Sequence, residues 1–143
     1  MIVATEVINV GNDNHHLLAM VQATQKNTGT LVKMTLADSG YAREANFAAL
    51  QPPACVALAR EGGKVRKIDT DKHPASSRMA QYMSSDERLA HYQRRKVIAE
   101  PVFGWIKQAM GFRQFSVRAL AAGNGEWNLV CLASNLRRMH RLA

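Results

Sequence analysis

A chain of 143 residues, 47% hydrophobic and 21% charged, is long enough for a domain with its own core and too apolar for a disordered segment. It has no run of about 18 apolar residues to span a bilayer, and its start, "MIVATEVINV", lacks the basic region and cleavage site of a secretory signal, so the cytoplasm is the default compartment. The net charge of +8 is regional: residues 1–59 hold three Lys/Arg against four Asp/Glu, whereas residues 60–143 hold sixteen against seven, an excess of basic groups that suits a polyanion such as nucleic acid.

The elements alternate strand and helix, which predicts an α/β fold. "MIVATEVINV" is short and β-branched and reads as a strand over residues 2–9; "GNDN" is a turn; "HHLLAMVQATQKN" is a helix that "TG" stops. "TLVKMTLAD" reads as the next strand. Val32, Met34, Leu36 and Asp38 fall on one face of it by the period of two, so Asp38 puts a carboxylate at the strand end where an apolar residue would continue the pattern. The same Asp38 also suits an Asx turn leading "DSGY" into the next segment, a role that needs no metal. "AREANFAAL" then reads as a short helix ended by "QPP", "ACVALAR" as a third strand, and the polar residues 61–78 as a loop or insertion. Cys55 and Cys131 lie in apolar runs without a C-x-x-C or a paired histidine and read as buried small hydrophobes. The five histidines show neither metal-ligand nor triad spacing.

A long helix is predicted over residues 84–110, with Ser84 and Glu87 at capping-box spacing and Gly111 as the stop. At about 100° per residue, Ile98, Val102, Trp105, Ile106 and Ala109 make a core face, while Tyr92, Lys96, Glu100, Phe103 and Lys107 share a neighbouring arc. Pro101 removes a backbone donor and should kink the helix beside Glu100. Without further information, that second arc is a solvated face on which Lys96 and Glu100 pair. "GEWNLVCLASNLRRMHRLA" is apolar nearly all round until Arg137 and reads as a packed helix; Arg137, Arg138 and Arg141 oppose its dipole and face water.

Tyr92, Arg95, Glu100 and Lys107 run in the order of a known signature. With "LADSGY", "YQRRKVIAEPVFGWIKQAMGFRQF" and "GEWNLVCLASNL", they make the chain resemble bacterial insertion-sequence transposases of the DDE type, which carry a Y-R-E-K motif. The resemblance covers essentially the whole chain and is most specific from Asp86 to Leu136. It implies an RNase H-like fold, a mixed sheet with flanking helices, whose carboxylates bind Mg²⁺ or Mn²⁺ for cleavage and transfer of DNA strands. Asp38 and Glu100 are then the catalytic, metal-binding residues, and Tyr92, Arg95 and Lys107 the DNA contacts. The partners it implies are transposon ends and target DNA.

The first catalytic aspartate of such enzymes has no match here: Glu6 is on the wrong strand and Asp13 is in the "GNDN" turn. The expectation is therefore a partial RNase H-like fold lacking its first two strands, the C-terminal portion of a catalytic domain. It is either a remnant or the second of two reading frames, with a homodimer or an upstream-frame product as a further partner. The alternative function is a basic nucleic-acid-binding module that has lost the chemistry.

Overall fold

In the computed structural model, residues 1–50, 54–59, 63–64 and 67–143 are described. They form two compact units, one of Asn12–Arg95 and one of Met1–Gly11 with Lys96–Ala143. No helix among the described residues is long and apolar enough to cross a membrane.

The Asn12–Arg95 unit opens with α1 (Leu17–Thr28), which stops at Gly29, whose φ of 65° is the left-handed geometry that glycine adopts without strain. β1 (Thr35–Ala37) leads through a 3₁₀ turn (Ser39–Tyr41) into α2 (Glu44–Ala49) and then β2 (Ala54–Val56). The two strands pair in parallel, Thr35 with Ala54, Leu36 with Cys55 and Ala37 with Val56. They are shorter than the predicted runs 30–38 and 54–60. β2 is wholly buried, as expected of a strand covered on both faces, and Cys55 lies within it as a small hydrophobe. Leu17, Phe47, Leu50, Val56 and Ala75 meet in the core, with Val21, Leu58 and Met79 packed against it.

The polar stretch 61–78 is not a loop throughout, because α3 (Pro74–Tyr82) begins inside it. Pro74 presets the first helical residue, and the cap comes from a distance. The Glu44 carboxylate accepts the amides of Ala75 (2.6 Å) and Ser76 (2.8 Å) and the Ser76 hydroxyl (2.6 Å). The predicted helix ending at "QPP" stops at Ala49; residues 51–53 lie outside the described residues.

The predicted long helix is divided into α4 (Asp86–Ile98) and α5 (Glu100–Gln108). Pro101 has no N–H to give to the carbonyl four residues back, and its ring crowds that carbonyl, so the ladder is interrupted at Ala99. Ser84 is not part of a capping box: its hydroxyl donates to the Gln81 carbonyl, and the Ser85 carbonyl accepts the first amides of α4, from Arg88 and Leu89. With the helix divided, the predicted core face survives only in α5, where Ile106 is buried while Ile98 in α4 is exposed.

α6 (Leu120–His140) carries the second unit. Residues 2–9 form no strand; this extended segment lies against α6 instead, its backbone held by two asparagines. Asn135 accepts the Ile2 amide (2.8 Å) and donates to the Ile2 carbonyl (2.6 Å); Asn124 does the same for Val7 (2.8 and 3.0 Å). The spacings agree: eleven helical residues and five extended ones each cover about 16.5 Å. Side-chain amides thus do for this segment what a neighbouring strand would do. Phe103 stacks on Trp127 with centroids 6.4 Å apart, and Phe112 lies between Trp127 and Phe115 at 5.8 and 5.4 Å.

Two outcomes follow from these links. Replacing Asn135 with Ala leaves the Ile2 backbone to water and should cost about 1–2 kcal/mol, with faster amide exchange confined to the N-terminal segment. Burial alone would raise the Glu44 pKa, but the Ser76 hydroxyl, the two amides and His73 outweigh it and hold the carboxyl below its usual range. Such a group stabilises the fold above its unfolded pKa, and that contribution is lost as pH falls through the lower folded value. Glu44→Gln should therefore melt lower than the parent at neutral pH and lose less stability on acidification, read from unfolding midpoints across an acid series.

Candidate active site

Asp38 directly follows the last residue of β1 and its side chain is exposed; the buried residue of the strand is Ala37, not one of the alternating set Val32, Met34 and Leu36. Its Oδ1 accepts the Gly40 amide at 2.9 Å, and its backbone carbonyl accepts the Tyr41 amide at 3.2 Å. This is the Asx turn that the "DSGY" sequence allows, and it engages one carboxylate oxygen. Tyr41 donates its hydroxyl to Asp13. Burial, this hydrogen bond and the negative charges of Asp13 and Asp38 push the phenol well above its usual range, so Tyr41 stays protonated and acts as a donor. Asp13 is therefore a neighbour of this corner although the turn around it gave no motif. Asn46 ties the same corner together, donating to the carbonyls of Asn14 (2.7 Å) and Tyr41 (2.9 Å), and Arg43 donates to Asn14 at 3.0 Å.

Tyr92 and Arg95 lie one turn apart on α4, with the Arg95 guanidinium 5.6 Å from the Tyr92 ring centre. Glu100 is the first residue of α5 and Lys107 its last-turn cation, both exposed and two turns apart on one side of that helix. Phe103, which falls on the same arc, stacks on Trp127 and belongs to the packing. In a continuous helix Arg95 and Glu100 would stand about 140° apart, so a single stripe is not what relates them. The four signature residues divide between the two units: Tyr92 and Arg95 belong with Asp38, Glu100 with Lys107. Among the described residues no three His, Cys, Asp or Glu side chains are gathered as a metal site.

The basic end of α6 departs from its expected solvated role in one respect. Arg137 lies over the Trp105 ring at 4.2 Å, a cation–π contact that joins α5 to α6. Both tryptophans are half-buried.

A family model described as "Transposase DDE domain" matches residues 24–140. The chain belongs to the DDE transposase family. The match takes in Asp38, Tyr92, Arg95, Glu100 and Lys107 alike. No curated protein and no solved structure matches this transposase domain. The family ties it to transposition.

The two chemistries of Asp38 separate by substitution. Asp38→Asn keeps an oxygen for the Gly40 amide and should leave the unfolding free energy within about 0.5 kcal/mol, whereas Asp38→Ala loses the cap and should cost about 1 kcal/mol in a denaturant titration. The Asn variant removes the charge without removing the turn, which makes it the variant for any metal measurement.

Proposed function

We propose that the chain supplies part of a transposase centre that cleaves and joins DNA strands with Mg²⁺ or Mn²⁺. The observation carrying this reading is the family match over residues 24–140, which includes every residue of the signature. In this reading Asp38 and Glu100 are the metal ligands. Both are exposed carboxylates, one at a strand end and one at a helix start, and so are the hard oxygen donors such cations take. When bound, the metal supplies Lewis acidity to ready water or a DNA 3′-hydroxyl for in-line attack on a phosphodiester.

The remaining roles fall to the chain's own cations and donors. Arg95 and Lys107 hold phosphates flanking the cut, and Tyr92 donates its hydroxyl to the backbone; such contacts position DNA without reading its sequence. Glu100 of the signature and Asp38 of "LADSGY" match the family's carboxylates and its first aspartate has no match, so the chain alone is proposed to be an incomplete catalytic unit that binds DNA without cutting it. The basic excess of residues 60–143 also supports a second reading, a nucleic-acid-binding module without chemistry. Metal dependence separates the two.

The test pairs two measurements on one set of proteins. Binding to duplex DNA should weaken steeply with salt, and Arg95→Ala with Lys107→Ala should flatten the logarithmic salt slope by about 2. In thermal melts, millimolar Mg²⁺ or Mn²⁺ should raise the midpoint of the wild type and leave that of Glu100→Gln unmoved. If metal has no effect and Glu100→Gln loses a few tenths of a kcal/mol, Glu100 is only an ion-pair partner and the catalytic reading fails.

A further inference from the structure

The turn that carries Asp38 is soft in itself. The sheet fixes one end of it, because Asp38 follows Ala37, which pairs with Val56. A Cβ at Gly40 would stand 3.0 Å from Asp38 Oδ1, so the carboxylate closes on the Gly40 amide only because that residue is a glycine. The same glycine costs the turn stiffness, and its far end at Tyr41 needs an anchor of its own. That anchor comes from the residues ahead of α1. The Tyr41 ring packs against the core that holds Leu17, and its hydroxyl donates to Asp13, 28 residues earlier. Asn46 is the one buried polar side chain among the described residues, and it donates to both sides of this seam, to the Asn14 carbonyl at 2.7 Å and the Tyr41 carbonyl at 2.9 Å. Arg43 adds a bond to Asn14 at 3.0 Å and reaches the His15 ring.

We propose that Asp13 is a positioning residue: by holding the Tyr41 hydroxyl it fixes the turn on which Asp38 is mounted, and with it the direction of the carboxylate oxygen that the turn leaves over. The proposal rests on the metal-ligand reading of Asp38 for its function, though not for its geometry. Joining the two segments does not require this bond, since Leu17 and Phe47 already meet in the core and Asn46 already bridges the two loops. What the Tyr41 hydroxyl adds lies at the exposed rim, where Asp38 is. A half-buried phenol could give its proton to water, but a carboxylate acceptor makes a stronger and better directed bond. Burial, the bond to Asp13 and the charges of Asp13 and Asp38 all keep the phenol protonated, so the donor is not lost.

The full chain carries the test in three variants: Tyr41→Phe, which keeps the ring in the core and changes no charge, Asp13→Ala, and Asp13→Asn, which keeps an acceptor. Amide hydrogen exchange read by NMR reports the turn without any metal. Gly40 should exchange roughly tenfold faster in Tyr41→Phe and in Asp13→Ala, no faster when the two are combined, and near the wild-type rate in Asp13→Asn. The amides of β1 and β2 should keep their wild-type rates. Mn²⁺ titrated into the same proteins, followed by broadening of the Gly40 signal, should bind Tyr41→Phe severalfold more weakly than the wild type, and because that variant changes no charge the loss reads position alone. Unchanged exchange at Gly40, or an equal rise along both strands, makes the bond an ordinary fold contact and overturns the proposal, as does Asp13→Asn behaving like Asp13→Ala. The Mn²⁺ arm separates the two failures. A wild type whose Gly40 signal Mn²⁺ leaves sharp removes the metal role of Asp38 and the positioning role with it, whereas equal Mn²⁺ affinity in the wild type and Tyr41→Phe removes the positioning role alone.

Discussion

Pro101 sets the architecture around the signature. Its missing N–H ends α4 and makes Glu100 the first residue of a new helix rather than an interior residue of a long one. The consequence is electrostatic. A carboxylate in mid-helix meets no net field from the backbone, but at the first position it faces the unpaired amides and the positive end of the helix dipole. Glu100 therefore stands at the end of α5 where the helix dipole favours a negative charge. The divide between the two compact units falls only a few residues upstream, at Arg95 and Lys96.

Both units are closed by side chains gripping backbone more than by sheet. Among the described residues the sheet has three residue pairs, too few to organise the unit that holds it. Glu44 holds the start of α3 and Asn46 holds two carbonyls near Tyr41. In the other unit, Asn124 and Asn135 hold the N-terminal segment, and Glu126 holds the amide and hydroxyl of Ser116. The Ser116 hydroxyl is the main reason the Glu126 carboxyl sits below its usual range, ahead of the opposing effect of burial and the amides of Ser116 and Val117. Each such link joins positions far apart in sequence or fixes a loop to a helix, and each makes its backbone target depend on one side chain. That gives a fold sensitive to single polar substitutions that hydropathy would rate as harmless.

This dependence decides what could be read from the sequence. α1, α2 and the two strands were legible because periodicity and turn residues are local signals, and Gly29 ends α1 where "TG" says it should. The start of α3 was not, because its cap is 31 residues away on Glu44. Residues 2–9 have strand composition and extended backbone but not a strand partner, since their hydrogen bonds go to asparagines 117 and 133 residues later. At the candidate site, the position of Asp38 at a strand end and its turn were both legible in "LADSGY". The link from Tyr41 to Asp13 was not, because nothing in "GNDN" distinguishes a turn aspartate from one that receives a phenol. Packing of α6 was the largest misreading, since Leu129, Leu132, Leu136 and Met139 are 52% to 67% exposed: an apolar circumference states how much surface needs covering, not whether the same chain covers it.

The two roles open to Asp38 are compatible for a geometric reason. A carboxylate has two oxygens, and the turn uses Oδ1 through the Gly40 amide. That bond fixes the rotation of the group, and the raised pKa of Tyr41 keeps a neutral donor rather than a phenolate beside it, so no further negative charge accumulates at the strand end. A side chain already oriented by its own loop loses less freedom on gripping a cation than a mobile one would. A turn that looks like a competing explanation for Asp38 is thus compatible with the ligand role proposed for it.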